Sequence, residues 1–503
     1  MSALGVRRAV GSSRQQFFIL MRRLLQARVH RHLFHIALSV IFLPLDNTIL
    51  FVAFVLSYLS SWFPRLGSEN RQQILRDEGF YPKTILVSGI DTPYGLRVAR
   101  CCYFQGHRVI GADITGSRLT PGEGMSRAVF AYYRIQKARY VSNLLDIVQR
   151  EKVDIWIPSS QGASAADDAV CKQAIESRTS CKCITLDSDL SSQWSQPESF
   201  LEYLEGNSLP VVENHQVHSR DSIHRILHRS PTKVYHIRKN AAAVRQDTAI
   251  ILPKRTLSST YTQVSQIQVS KDSPWTMQQH ARLGEFVAEL LLASGLIAAI
   301  TIRPANQQSD WGCSPLNEGL ATAIHKLMER FAFTAGPRAT GHLSVRLMVD
   351  EELGINSIRY AVHIAECTQG AASTKSLLQT TPAHTLVSGY LAAVSENNAV
   401  STTSPEPLHT YPRTGITKDT PQRPNLYQTV KGYDVRRVLP ALYPVAQKLD
   451  WAIEEANKLL VFWKNWRFSV DDPLPWWWHN HVFWPLQELG LMLDSKTLAT
   501  KYY

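Results

Sequence analysis

Apolar and polar positions follow two different regimes along this chain. Residues 33–63, LFHIALSVIFLPLDNTILFVAFVLSYLSSWF, are one strongly apolar run interrupted only by PLDN at 44–47. A helix crossing a bilayer needs about 20 apolar residues. Proline, aspartate and asparagine together favour a turn over a helix interior. The run therefore reads first as two short helices, 33–43 and 48–63, in a re-entrant hairpin, and second as one tilted span; a third reading packs it as core helices. From residue 80 short buried strands alternate with helical stretches. KTILVSGI (83–90), RVIGADI (108–114), KVDIWIPSS (152–160) and CITLD (183–187) are strands, while LRVARCCYFQG and ASAADDAVCKQAIES are helical. Strand, glycine turn, helix and strand form a right-handed βαβ unit, so a doubly wound parallel sheet is expected over 80–187.

Beyond it, SFLEYLEGNSLPVVENHQVHSRDSIHRIL reads as helix, strand entry and helix. A strand-rich series follows: TKVYHIRK (232–239), WTMQQHARLGEF (275–286), LIAAITIRPA (296–305), ATGHLSVRLMVDE (339–351) and SIRYAVHIAECT (357–368). Residues 396–430 are polar and proline-rich with no apolar period, which predicts a flexible linker. Residues 431–503 carry helical periodicity and then Trp476, Trp477, Trp478, Phe483 and Trp484, aromatics suited to capping a core or lying at a membrane interface. The expected organisation is a basic leader with an apolar membrane-associated segment (1–65), a Rossmann-like domain (80–187), a second α+β region (188–395), a linker (396–430) and an aromatic-rich helical tail (431–503).

Charge sharpens the first of these. The chain has a formal net charge of +12, and Arg7, Arg8, Arg14, Arg22, Arg23, Arg28 and Arg31 all precede the first acid, Asp46. A basic leader beside an apolar run points to a membrane surface. Arg31 and Arg65 flank the run and favour both ends on the cytosolic face. A cytoplasmic location or a mitochondrial presequence are the alternatives. No interleaved basic and aromatic array appears, which argues against nucleic acid as a partner. The seven cysteines include no CxxC pair, as expected of free thiols in a reducing compartment. Cys181 and Cys183 could bind a soft metal, whereas His479 with His481 alone would leave a metal under-ligated.

The glycine turn invites a dinucleotide reading, because Gly89 and Gly95 bracket it and Asp113 lies where a ribose-binding acid would sit. The spacing is G-x5-G, however, with Thr92-Pro93 replacing the middle glycine, so an empty Rossmann-like scaffold is preferred. An NAD(P)-dependent oxidoreductase remains an alternative, with Tyr133 and Lys137 at the spacing of a catalytic Tyr-x-x-x-Lys helix.

The order YHIRK, MQQHA, LGEF, TGHLSVRLMVD, AECTQG, with DPLP at 472–475, resembles fungal ATP-grasp enzymes of specialised (secondary) metabolism, including alkaloid biosynthesis. The resemblance covers roughly residues 80–380 plus that tail. It implies a Rossmann-like pre-ATP-grasp domain followed by an ATP-grasp fold, with ATP and Mg2+ as cofactors. It further implies a ligase that activates a carboxylic acid as an acylphosphate for an amine or carrier thiol. Matched to the family's motifs, Arg238 and Lys239 fall at the phosphate-contacting strand position, Gln278 and Gln279 at the hinge that holds adenosine, and Glu285 in the G-x-E-F strand. Glu366 and Thr368 fall at the metal positions; no residue is assigned as catalytic. The chain departs from the family at Arg346, where an acid is usual, at Thr368 in place of asparagine, and at Gly370 in place of arginine. A cation at 346 cannot ligate magnesium; Asp350, on the same strand face by alternation, is the substitute. A non-catalytic membrane-anchored scaffold of the same fold is the remaining alternative.

Overall fold

The computed structural model describes residues 33, 36–55, 57–58, 71–115, 119–230, 233–239, 250–269, 275–280, 283–305, 317–353, 358–394 and 466–490. The expected linker at 396–430 and the helical stretch up to residue 465 lie outside them. Strands β1 (Thr84–Ser88), β2 (Arg108–Ile114), β3 (Ala131–Ile135), β4 (Ile155–Pro158) and β5 (Lys182–Cys183) form a sheet of order β3-β2-β1-β4-β5. The pairings β1–β4 and β4–β5 are parallel, as expected of a doubly wound sheet. The chain divides into two compact units: Met1–Pro82, Gly89–Arg134 and Asp419–Tyr503 in one, Lys83–Ser88 and Ile135–Lys418 in the other.

In the first unit the apolar run is one continuous helix, Ile36–Val55, long and apolar enough to cross a membrane. This corrects the hairpin expected from PLDN. The polar side chains that promised a turn are engaged elsewhere. Asp46 pairs with His481 at 2.8 Å, and Asn47 accepts from Trp477 Nε1 at 2.8 Å. Thr48 closes the helix locally, donating to the Pro44 carbonyl at 2.9 Å. The carboxyl-terminal segment is fastened in the same unit by Asp472, which is 1% exposed. It accepts from Arg100 Nε at 2.9 Å, Ser126 Oγ at 2.5 Å and the Arg127 amide at 3.0 Å.

The second unit carries two further four-stranded sheets. Strands β6 (Asn214–Val217), β7 (Val234–Lys239), β8 (Ile250–Leu252) and β9 (Trp275–His280) are ordered β6-β9-β7-β8. Tyr235, Ile237, Leu252 and Met277 of this sheet pack against Ile223 and Val264 of the helices Arg220–Arg229 and Leu257–Gln266. Strands β10 (Gly284–Ala293), β11 (Leu296–Pro304), β12 (Gly341–Leu353) and β13 (Ile358–Gln369) are ordered β11-β10-β12-β13 and antiparallel throughout. Their main core is shared with the helix Glu318–Ala335 and with Trp194 and Phe200. The sequence reading placed no element there, although Leu320, Ile324, Met328 and Phe331 show helical periodicity. A parallel-sheet segment followed by an α+β region is the element order the sequence led us to expect, and that region is built as two lobes, one on each four-stranded sheet.

Packing also decides which residues face outward. Leu343, Val345, Leu347 and Val349 of β12 are all buried in that core. Each contributes about 1.5–3 kcal/mol on burial. That fixes the strand's register and turns Ser344, Arg346, Met348 and Asp350 to the opposite face. On β13 the buried residues are Val362, Ile364 and then Cys367, three positions on instead of two. The extra step is a β-bulge, since Arg346 pairs with Glu366 while Leu347 pairs with Ile364, leaving Ala365 unmatched. Without the bulge, strict alternation would send Glu366 into the core.

Candidate functional site

The outward face of the β11-β10-β12-β13 sheet carries Glu285, Arg346, Asp350, Glu366 and Thr368 of the residues singled out in the sequence. Across one row lie Arg303, Val287, Arg346 and Glu366; the next holds Thr301, Glu289, Ser344 and Thr368. At one end this face is covered, because Glu289, 1% exposed, accepts from the Leu377 amide at 2.7 Å and from Arg303 Nε at 3.0 Å. At the other end it is open, and the Arg346 and Glu366 side chains are each 51% exposed and 3.7 Å apart. That distance is an ion pair without a well-formed hydrogen bond. Thr368, also exposed, donates to the Ser344 carbonyl at 3.3 Å.

The hinge residues lie at the end of β9 leading towards β10. Gln279 is 5% exposed, and its Nε2 donates to Asp350 Oδ2 at 3.2 Å, linking β9 to β12. Its Oε1 is buried with no hydrogen-bond partner, an acceptor left open at the join of the two lobes. Gln278 is half-buried and pairs in register with Asn214 and His236. Glu285, also half-buried, opens β10 opposite Met348. Arg238 and Lys239 end β7 opposite Thr276 and Trp275. The structure thus joins Glu366 to Arg346 and Gln279 to Asp350. Asp350 serves the hinge and does not join Glu366, which lies opposite Arg346, four residues along the strand.

A magnesium ion bound with a nucleotide keeps several waters and takes one or two carboxylates plus phosphate oxygens. Among the described residues no group of three or more His, Cys, Asp or Glu could hold a metal, which is compatible with that mode of binding. Glu366 offers a hard oxygen on an open face, and the open acceptor of Gln279 suits a donor such as an exocyclic amine. Arg346 must first release Glu366, a weak obstacle for a half-exposed pair.

Other candidates resolve into structural roles. Asp113 accepts from the Asp91 amide at 3.1 Å, and burial together with Asp91 pushes its carboxyl up to about 8. Thr92 caps the helix Pro93–Phe104, and a Cβ at Gly95 would collide with the Gly89 carbonyl, so the two glycines serve the tight turn itself. Tyr133 lies on β3 and Lys137 in a short 3-10 turn, so they do not form the Tyr-x-x-x-Lys pair of one helix. His481 is engaged by Asp46 and by Ser39 Oγ at 3.1 Å. Cys183 is buried, and burial with neighbouring Cys181 pushes its thiol well up, away from the thiolate a soft metal needs.

No family model matches this sequence, and no curated protein matches it. Among solved structures, the chain is similar to the ADP complex of PurK, an N5-carboxyaminoimidazole ribonucleotide synthetase, at 12% identity and TM-score 0.38, covering 58% of this chain and 72% of that one. It is similar to an L-amino acid ligase from Bacillus licheniformis at 13% identity and TM-score 0.38, covering 63% and 75%. The biotin carboxylase domain of a thermophilic 2-oxoglutarate carboxylase bound to ADP follows at 12% identity and TM-score 0.44, covering 64% and 72%. Likenesses of this depth assign neither a family nor a residue role.

Proposed function

We propose that this chain is an ATP-dependent carboxylate–amine or carboxylate–thiol ligase of the ATP-grasp kind. It would act through an acylphosphate on an amino acid, in a specialised-metabolite pathway. The observation that carries the reading is the open sheet face bearing Arg346 and Glu366, joined through Gln279 and Asp350 to a second α+β lobe. Bound ATP and Mg2+ would supply the phosphoryl group and neutralise its charge. Gln278 and Gln279 are assigned to the adenosine, with Glu285 beside them at the start of β10. Arg238 and Lys239 are assigned to the polyphosphate, whose concentrated negative charge calls for fixed cations. Glu366, with Thr368, is assigned to the metal. Arg346, released from Glu366, adds a guanidinium suited to bidentate phosphate contact. The substrate carboxylate attacks the terminal phosphorus and ADP leaves. The nucleophile then attacks the acyl carbon, phosphate leaves, and the nucleophile loses its proton.

One observation favours a second reading, a non-catalytic scaffold of the same fold: a cation stands at 346 where an acid is usual, paired with the one assigned metal carboxylate. Thermal stability measured against Mg-ATP separates the two, because a ligand of the native state raises Tm. The ligase reading expects a saturable rise that Glu366→Ala removes; an unchanged Tm across the titration favours the scaffold. We further assign the helix Ile36–Val55, whose Val40, Ile41 and Phe51 are exposed, to anchoring the chain on the cytosolic face of a membrane. Flotation of the full-length chain with vesicles, lost on deleting 33–63, tests that assignment.

A further inference from the structure

A second concave site lies in the same unit, away from the row of Arg346 and Glu366. A cavity of about 310 Å3 opens beyond the carboxyl end of β4, walled by Ser160, Ala163, Asp168, Thr185, His342 and Gly370 among others. Its volume is at the lower end of the range of small-molecule pockets. The position is the one where open α/β sheets bind ligands, outside the carboxyl ends of parallel strands.

Asp168 gives the cavity its chemistry. It lies on the helix Ala165–Glu176 and is 9% exposed. Tyr140 donates to its Oδ1 at 2.8 Å. Among the described residues no cation pairs with it: Lys172, one turn on, is committed to the Thr185 carbonyl and Asp187, both at 2.8 Å. The remaining polar wall is neutral. His342 sits between Thr374 Oγ1 at 3.2 Å on Nδ1 and Tyr390 OH at 3.0 Å on Nε2. Burial holds its imidazole down to about 4, so it presents no competing positive charge. A nine-tenths-buried carboxylate without a counter-ion is costly, and among the described residues the Tyr140 hydroxyl offsets that cost only in part. Its carboxyl is accordingly pushed up to about 7, chiefly by burial.

We propose that this cavity binds a small primary amine, whose ammonium group supplies the counter-ion that Asp168 lacks. The site lies one residue beyond Thr368, since Gln369 and Gly370 contribute to its wall. Identifying the bound amine as the acceptor of the ligase rests on the function proposed above, but the binding itself does not. A ligand here would donate from its ammonium to Asp168, with Tyr140 holding the carboxylate in place, and would lay its carbon chain against Ala163, Ile184 and Ala372.

The test is calorimetric titration of the full-length chain without nucleotide, using butylamine, butanol and butyrate as probes of equal length and different charge. Butylamine should bind saturably, with butanol and butyrate at least about tenfold weaker; a hydrogen-bonded ion pair supports that margin. Asp168→Asn, which keeps the Tyr140 partner, should weaken butylamine binding by about 10- to 100-fold. Ala163→Leu, at a half-buried wall position, should do so by filling the cavity while leaving Asp168 intact. No saturable butylamine binding, equal binding of butanol, or full binding by either variant would overturn the proposal. Mg-ATP is titrated separately on the same preparation, so loss of nucleotide binding with retained amine binding faults the ligase reading alone.

Discussion

Two arginine–carboxylate pairs in this molecule use the same groups to different ends. Arg100 and Asp472 meet at 2.9 Å with the carboxylate 1% exposed, and Ser126 Oγ and the Arg127 amide also donate to it. Arg346 and Glu366 are 3.7 Å apart and each 51% exposed. Burial with complete hydrogen bonding makes the first a fastening, because losing one partner strands a charge in a poor solvent. Exposure makes the second exchangeable, since water and salt replace either partner at little cost. Asp168 is a third case, a buried carboxylate with no cation paired to it among the described residues, and burial pushes its carboxyl up to about 7.

The contrast is best broken at its strongest point. Asp472→Ala should lower the unfolding free energy by about 3–5 kcal/mol, read by urea denaturation. A loss within the range of a surface substitution would mean that the segment around residue 472 is not held by its acid.

The third carboxylate is tested by pH. Burial raises the folded-state pKa of Asp168 above the ordinary aspartate value, so the native state retains a proton that the unfolded chain gives up. Stability contributed by this group is complete below pH 4, is lost as pH rises towards 7, and then levels off. The ceiling on that loss is about 4 kcal/mol at 1.36 kcal/mol per unit. Asp168→Asn lacks this dependence, so the wild type should lose stability relative to it across pH 4–7. Parallel stability curves for the two proteins would contradict the burial argument.

At the exposed pair the effects on stability are small and the effects on ligand are large. Arg346→Ala should change unfolding free energy by no more than about 1 kcal/mol, while weakening the Tm response to Mg-ATP. Arg346→Glu places a second carboxylate beside Glu366 and should make that response depend more steeply on Mg2+ concentration. If both variants respond to Mg-ATP as the wild type does, the open face is not the polyphosphate site.

The gross order of elements was legible because strand and helix periods are local. β1, β2, β4, β7, β9 and β11 fall within the stretches read as strands, and the helix Glu318–Ala335 could have been found from its own apolar period. What was not legible depended on distant partners. PLDN is a sound turn signal, yet Asp46 and Asn47 spend their side chains on His481 and Trp477, and the helix continues through them. Asp350 was placed on the correct strand face by alternation, but only the fold reveals that Gln279 claims it. Asp168 gave no sequence signal at all, because one acid in ADDAV looks like any solvated helix residue until Tyr140 and the cavity enclose it.

The unmatched residue Ala365 sets the parity of everything after it on β13. Its methyl group bears no chemistry, yet its exclusion from the ladder decides the strand's end: paired in regular alternation, Ala365 would put Glu366 in the apolar core and Cys367 at solvent. Deleting Ala365 would instead leave Ile364 followed directly by Glu366, and plain alternation would keep Glu366 outward and Cys367 inward. In this strand one extra residue lies between the part that folds the lobe and the part that faces outward. A chain lacking Ala365 would present the same motif on the same face, from a strand without the bend that a bulge imposes.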